Sequence, residues 1–564
     1  MQALELINRI TLPQQSEKKL SFCASNKAQR VAEWASMLRP TQIERTSSLL
    51  YQALPEINRL ITSAQSRLEM LEHLRPYVQH TLNGLSKFYL HSPLALEGEA
   101  QKSAIVSQAL QKHMVDGYIL CAASLLGNKK LKAGDETLAL CLHRAITGLG
   151  LVFSRSYQIY AQAPKGLWLA MHSLFRIADL YELLDTKVTD DVQRTTKLSS
   201  VQDAYVRTLL MSSARPHQLN QNDIAAVYEV FGEWSSFIRF NLGLTDDPNN
   251  FYCVDLDGDF GPLYKARLGQ DAENHLVIEL DFRPLLSQLT KQRSEGKAKS
   301  ESIEDIGASS IELPKQITPP ILEHLLEAWS NIAQRKQDRR PVQVTADMCV
   351  GLADCHYYLA GGQAFSDFVT STASASHIEN TMSHGFTPRD SFSEEAQVEG
   401  PLSRVEIQNV SQGGYCVSWN SNYPIKVESG NVIGLKEFGK RVWSIGVVRW
   451  IRQKKQHSQL GIQIISDRAL PYGIAQAYDM GGYSDYMRAL YLPQTQFSEF
   501  PPSLLVASAP LQAMDKVRII DGDTEYAAKL DQKLFGTASI QRFSFHDLEG
   551  KTPKPSSKSS FSDW

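Results

Sequence analysis

The hydrophobic pattern along the chain changes its period part-way. Through "NKAQRVAEWASML", "TQIERTSSLLYQALPEINRLI" and "SRLEMLEHLRPYVQHTLNGLSKFYL", apolar residues recur at three- and four-residue spacing, which predicts amphipathic helices. The same spacing runs through "AIVSQALQKHMVDGYILCAASLL", "ETLALCLHRAITGLGLVFSRSYQIYAQA" and "LWLAMHSLFRIADLYELL". Some of these are apolar nearly all round, as helices packed inside a bundle are. The repeat period is irregular, so no solenoid is read. Residues 1–245 are therefore expected to form an all-α helical domain.

Near 246 the alternation becomes two-residue. "NNFYCVDLDGDFGPLYKARL" and "NHLVIELDF", with their Asp-Gly and Gly-Pro turns, predict a small β unit over 246–290. Residues 291–320 include the charged, small-residue run "KQRSEGKAKSESIEDIGASSIE" and read as a linker. A proline-entered helix, "PPILEHLLEAWSNIAQ", follows. Short strands such as "PVQVTADMCVGL", "SRVEIQNVS", "GYCVSWN" and "VWSIGVVRWIRQ" then predict an antiparallel β-barrel within 321–475. A long insertion at about 361–400 interrupts it. Residues 476–550 read as a C-terminal mixed or β domain, and 551–564 as a disordered tail. The small β sets at about 246–290 and 500–546 are expected as further barrel halves flanking the barrel. The fold class is multidomain α+β: a helical domain, then an antiparallel barrel and additional small β units.

Composition narrows the function. The net charge of −3 over 564 residues gives no overall electrostatic footprint for DNA. The seven cysteines form no CxxC pair, and Cys121 and Cys141, flanked by apolar residues, read as buried thiols of a reducing compartment. No stretch of about 18 apolar residues reads as a transmembrane segment. The N-terminus lacks the basic start and apolar run of a signal peptide, so a cytoplasmic location is expected. No phosphate loop, nucleophile elbow or dinucleotide fingerprint is present, so no catalytic residue, metal or cofactor is assigned. "DLDGDFG" alternates Asp255, Asp257 and Asp259 like a calcium loop. It has Phe260 and Ala266 where that loop needs glycine and glutamate, and reads as a polar turn.

Two short strings carry candidate chemistry. "RKQDRR" places Arg335 and Arg339 four apart, with Arg340 beside them, where a helix gives way to a strand at Pro341. Guanidinium groups bind phosphate bidentately and stack on aromatic planes, so such a pair suits a ligand carrying phosphates and purines. It would equally complement a helix C-terminus. "NVSQGG" offers Asn409 and Ser411 as hydrogen-bonding side chains, and Gly413 and Gly414 as positions of positive φ or close approach. By itself it would also serve as a capped β-turn.

Together the strings resemble the signature of the PilZ domain family of cyclic-di-GMP receptor proteins: Arg-x-x-x-Arg ahead of the first strand, then [Asp/Asn]-x-Ser-x-x-Gly at a later strand end. "VVRWIRQKKQHSQLGIQII" is similar to the family's closing hairpin. The resemblance covers roughly 325–470. It implies that Arg335 and Arg339, with Arg340 alongside, grip the phosphates and stack on guanines of cyclic di-GMP. It implies that Asn409 and Ser411 bond a guanine edge, and that Gly413 and Gly414 shape the turn. About seventy residues separate Arg339 from Asn409, where family members usually have a few dozen at most. Either the insertion splits the barrel or "GLADCHYYLAGG" adds a helix packed on it. The expected function is a non-enzymatic receptor whose helical domain passes the signal to a protein target, with homo-oligomer formation left open. The alternatives are a ligand-free adaptor barrel and, from the basic and aromatic residues of "RWIRQKKQH", a single-stranded RNA binder.

Overall fold

The computed structural model describes residues 2–93, 96–193, 195–247, 252–269, 275–298, 313–330, 340–376, 402–411, 413–419, 426–454, 457–478, 481–494, 500–522 and 524–550. The chain forms two compact units, Met1–Gln334 with Arg452–Lys454, and Arg335–Ile451 with Lys455–Trp564.

In the first unit, α1 (Gln2–Asn8), α2 (Ala28–Ser36), α3 (Ile43–Arg59), α4 (Ala64–Tyr89), α5 (Gly98–Leu126), α6 (Glu136–Gln158), α7 (Leu167–Leu180), α8 (Val201–Ser213) and α9 (Gln221–Trp234) make the expected bundle. Polar residues before several helices satisfy their first N–H groups. Ser63, Asp135 and Asn220 accept from the backbone of Ser66, Leu138 and Asp223, and Ser200 with Asp203 closes a capping box. The core centres on α6, which packs against α5, α7, α8 and α9. Among the described residues it is the one helix long and apolar enough to cross a membrane, and its neighbours bury it along most of its length. Several charges inside the bundle are paired: Arg75 grips Asp190 at 2.7 and 2.6 Å, while Glu72 receives Arg144 at 3.2 Å and the Tyr118 hydroxyl at 2.5 Å. Cys121 and Cys141 are buried thiols.

A hairpin of β1 (Lys187–Thr189) and β2 (Leu198–Ser200) precedes the last helices. The alternation near 246 belongs to an open antiparallel sheet, not to a barrel half. It contains β3 (Arg239–Leu242), β4 (Tyr252–Asp255), β5 (Leu263–Tyr264) and β6 (Val277–Asp281), ordered β3-β6-β4-β5. The sheet has its own cover: Trp329 of α11 (Pro319–Ser330) stacks on Phe282 at 5.5 Å and donates to Ser213 at 3.0 Å. The stretch expected as linker from 291 begins as helix, because α10 (Arg283–Ala298) continues through it. Its Lys, Gln, Arg and Glu residues are helix formers as well as solvated ones. In the calcium-like string, Asp257 accepts from Arg9 (2.6 Å) and Arg176 (2.5 Å), and Asp259 caps α7 at the Gly166 and Leu169 amides.

The second unit holds two closed six-stranded barrels. The first consists of β7 (Arg340–Val350), β8 (Ser403–Ser411), β9 (Gly414–Trp419), β10 (Val432–Glu437), β11 (Ser444–Gln453) and β12 (Ser458–Ser466). The second consists of β13 (Leu470–Gln476), β14 (Met487–Leu492), β15 (Ser503–Ala507), β16 (Lys516–Ile520), β17 (Glu525–Gly536) and β18 (Ile540–Asp547). Counted from its own first strand, each barrel runs 1-2-3-6-5-4 around its circuit, so the two share one topology. The C-terminal strands therefore complete a barrel of their own, and its first strand takes residues 470–475, which the strand pattern alone assigns to the first.

Both readings of the long β7–β8 connection hold in part. It contains α12 (Leu352–Leu359) and α13 (Phe365–Ser376). The helix α12 packs on β7 and β10 of the first barrel and on β13 and β14 of the second. Around it a shared core joins Cys349, Trp443 and Val447 to Leu490, Leu505 and Ile540. Thr537 and Ser539 of the second barrel also donate to the Gly430 carbonyl at 2.9 and 3.0 Å. The rest of the insertion and the tail lie outside the described residues.

Candidate functional site

Arg340, the last residue of the arginine string, and the Asn409–Ser411 end of the second string, about seventy residues on in sequence, meet at one corner of the first barrel. The strands β7 and β8 pair antiparallel with Arg340 opposite Val410 and Pro341 opposite Asn409. The connection between them leaves at the far end, after Val350, so its length does not separate Arg340 and Pro341 from Asn409 and Val410. Arg340 is exposed at the start of β7. Arg335 and Arg339 lie outside the described residues.

Two bulges aim the polar side chains outward. Along β8, Ser403, Val405 and Ile407 point into the barrel, and strict alternation would send Asn409 and Ser411 after them. The register instead shifts between Ile407 and Asn409, so that Ile407 faces Val417 while Asn409 faces Cys416. Cross-strand partners share a face, and Cys416 lies on the face opposite Val417. Asn409 and Ser411 therefore stand on the outer face. A matching shift on β7, between Pro341 and Val344, carries Pro341 to the same side. Bulges that re-aim side chains in this way are common beside functional sites.

The resulting surface is a small-residue floor rimmed by polar groups. One row runs Asn409, Cys416, Gly461, and the next runs Ser411, Gly414, Gln463. The Ser411 hydroxyl donates to the Gly414 carbonyl at 3.3 Å, and the Gly413 carbonyl accepts from Ile464 N–H at 3.0 Å. Gly414 is not at positive φ. A Cβ there would sit 2.2 Å from the Ile462 carbonyl oxygen, so close approach of β12 is what requires glycine. Gly461 is likewise covered, by the half-buried Trp450, whose indole nitrogen would lie 1.9 Å from a Cβ at that position. Of the tryptophans Trp419, Trp443 and Trp450, Trp419 is buried and Trp443, just before β11, stacks on Tyr358, which leaves Trp450 as the one beside this floor. Behind it, the inward-facing Tyr415 donates to Glu437 at 2.8 Å across the barrel mouth; burial and this carboxylate push its phenol up to about 12.

The arrangement offers the half-buried Asn409 and Ser411, the exposed Gln463 and an aromatic ring on one floor, beside the chain that leads from the arginine string. That combination fits a ligand with planar bases and anionic phosphates. Sequence periodicity could not locate Gln463 or Trp450 here, because both are set by cross-strand neighbours.

Comparison with known proteins covers nearly the whole chain. Residues 29–246 match the N-terminal domain of the cyclic-di-GMP receptor FimW, and residues 251–396 and 379–471 match its middle PilZ domain. Residues 472–548 match the FimW C-terminal β-barrel domain. The cyclic-di-GMP receptor FimW of Pseudomonas aeruginosa is 27% identical over 579 residues, an alignment spanning 96% of this chain and 93% of that protein. With a closed six-stranded barrel inside the span that matches the middle PilZ domain, and the Asn409–Gly414 string at its corner, the chain belongs to the PilZ domain family.

Proposed function

We propose that this protein is a cyclic-di-GMP receptor whose first barrel holds the nucleotide at the Asn409–Gly414 corner. The observation that supports the reading is the register that sets Arg340 against Val410 and Pro341 against Asn409, because the chain that leads from the arginine string then enters the barrel beside the strand that bears Asn409 and Ser411. Full-length similarity to a cyclic-di-GMP receptor supports the ligand's identity. In this reading Arg335, Arg339 and Arg340 contact phosphates and stack on guanine. Asn409 and Ser411 bond a base edge, and Trp450 offers a ring face. Charge-assisted contacts supply affinity and base-edge contacts supply identity. No step of catalysis is involved. Curling of residues 335–340 round the ligand shifts the population of barrel states, and the helical unit passes that change to a protein target.

Calorimetric titration of cyclic di-GMP into the wild type and into Arg335→Ala/Arg339→Ala, with GTP as control, tests the reading. Hydrogen bonds to charged groups contribute about 1.5–3 kcal/mol each, so losing both arginines weakens binding at least ~100-fold. No heat from folded, nucleotide-free wild type would transfer the assignment to an adaptor barrel that works without ligand.

A further inference from the structure

The outer face of the first barrel does not end at Gly414. Across β12, Gln463 sits opposite Gly414, and its side-chain oxygen accepts from Arg449 Nε on β11 at 2.5 Å. Arg449 is exposed, and its bond to Gln463 extends the polar groups of the row Ser411, Gly414, Gln463 onto the neighbouring strand. Neighbouring strands lie ~4.8 Å apart. The guanidinium is therefore within the reach of a ligand with two phosphates and two purines seated over β8 and β9. On its other side it lies over the ring of Phe535, 4.9 Å from the centroid.

Phe535 belongs to the second barrel. It lies on β17 where the register with β18 shifts, between Lys533 and Phe535, and it packs against the core shared by the two barrels. The Thr537 and Ser539 bonds to Gly430 fix the end of the same segment against the first barrel. The ring thus has a set position relative to the corner. An arginine side chain is long and rotamer-rich, so holding it over a surface costs conformational entropy unless something orients it beforehand. Gln463 grips the guanidinium from one side and the Phe535 face supports it from the other, and neither cancels its charge.

We propose that Arg449 is a further phosphate-binding residue of the cyclic-di-GMP site, and that Phe535 of the second barrel is its positioning residue. The second barrel then forms one wall of the site on the first. Ligand binding is transmitted to β17 through a single side chain, because a guanidinium drawn toward phosphate changes its overlap with the ring. The inference deepens the receptor reading and rests on it.

The test is calorimetric titration of cyclic di-GMP into the full chain and into Arg449→Ala, Arg449→Lys, Phe535→Leu, Phe535→Tyr and the double variant Arg449→Ala/Phe535→Leu. Each variant's thermal midpoint without ligand is measured alongside. The expected results are about a tenfold loss for Arg449→Ala, a smaller loss for Arg449→Lys, a several-fold loss for Phe535→Leu and near-normal affinity for Phe535→Tyr. The double variant binds no more weakly than Arg449→Ala, since Phe535 acts only through the arginine. A structural role for Phe535 would lower the ligand-free midpoint without that non-additivity. Wild-type affinity in Arg449→Ala overturns the proposal, and so does full affinity in Phe535→Leu. If the unmodified protein does not bind cyclic di-GMP, the receptor reading fails together with this inference. That failure is distinguishable because it precedes any substitution.

Discussion

The two barrels share one strand order, yet the same corner is open in the first and filled in the second. In the first barrel the third strand begins at Gly414, close behind Ser411, and its outer face is a floor of small residues that is half-exposed at Gly414 and Ser411. In the second, the third strand begins at Ser503 after a longer connection, residues 493–502. Ser503 and Arg542 are both buried, the Arg542 Nε donates to the Ser503 hydroxyl at 2.7 Å, and Phe500 lies 4.8 Å from the guanidinium. Burial pulls the Arg542 side chain below its usual basicity. The outer face of that barrel also supplies Leu490, Leu505 and Ile540 to the joint core. In the proposed reading a common topology thus serves twice, once to present a ligand surface and once to support the barrel that presents it. Function follows the residues at the corner, not the barrel.

Substitutions can separate the two roles. Arg542→Ala leaves Ser503 without its donor and opens a cavity, and should cost about 2–4 kcal/mol in chemical unfolding. Because Arg542 pairs across the strands with Phe535, protein that remains folded should lose no more affinity for cyclic di-GMP than Phe535→Leu does; a larger loss would mean the second corner is itself a site. Gly414→Val drives side-chain atoms into the Ile462 backbone. It should cost about 2–3 kcal/mol and abolish nucleotide binding in the folded fraction, as read by unfolding and titration on one sample. Asn409→Ala should weaken cyclic di-GMP by roughly 1–2 kcal/mol, about tenfold, at unchanged stability, whereas Asn409→Asp should retain most of the affinity.

The smallest effect concerns the junction. His356 on α12 is buried between Phe365 and Phe368, and burial together with the Arg488 guanidinium pushes it down to about 4. Its folded value lies below its ordinary 6.5, so the neutral ring favours the folded state above pH 6.5. That contribution drains away as the pH falls from 6.5 towards 4. His356→Leu should flatten the acid limb of the unfolding profile over that window, and an unchanged limb would remove His356 from the account.

Much of this was legible in the sequence, for identifiable reasons. Helices such as α4 and α6 carry period and caps together, and the two signature strings are local. The insertion was visible as well, but the end of the barrel from which it leaves was not, because that follows only from the β7–β8 register. The outward turn of Asn409 depends on a bulge, and alternation read from Ile407 points the other way. The second barrel stayed hidden because its first strand, Leu470–Gln476, follows Ser466 with no break in the β pattern. Gln463, Arg449 and Phe535 belong together only through pairing between strands far apart in the chain.

Hydrogen exchange on the full-length protein, with and without saturating cyclic di-GMP, tests the central claim most directly. Protection is expected in peptides covering 335–342 and 408–416, with none in 493–503. Unchanged exchange at the first corner, or protection that appears at the second instead, would contradict the assignment of the ligand to the first barrel.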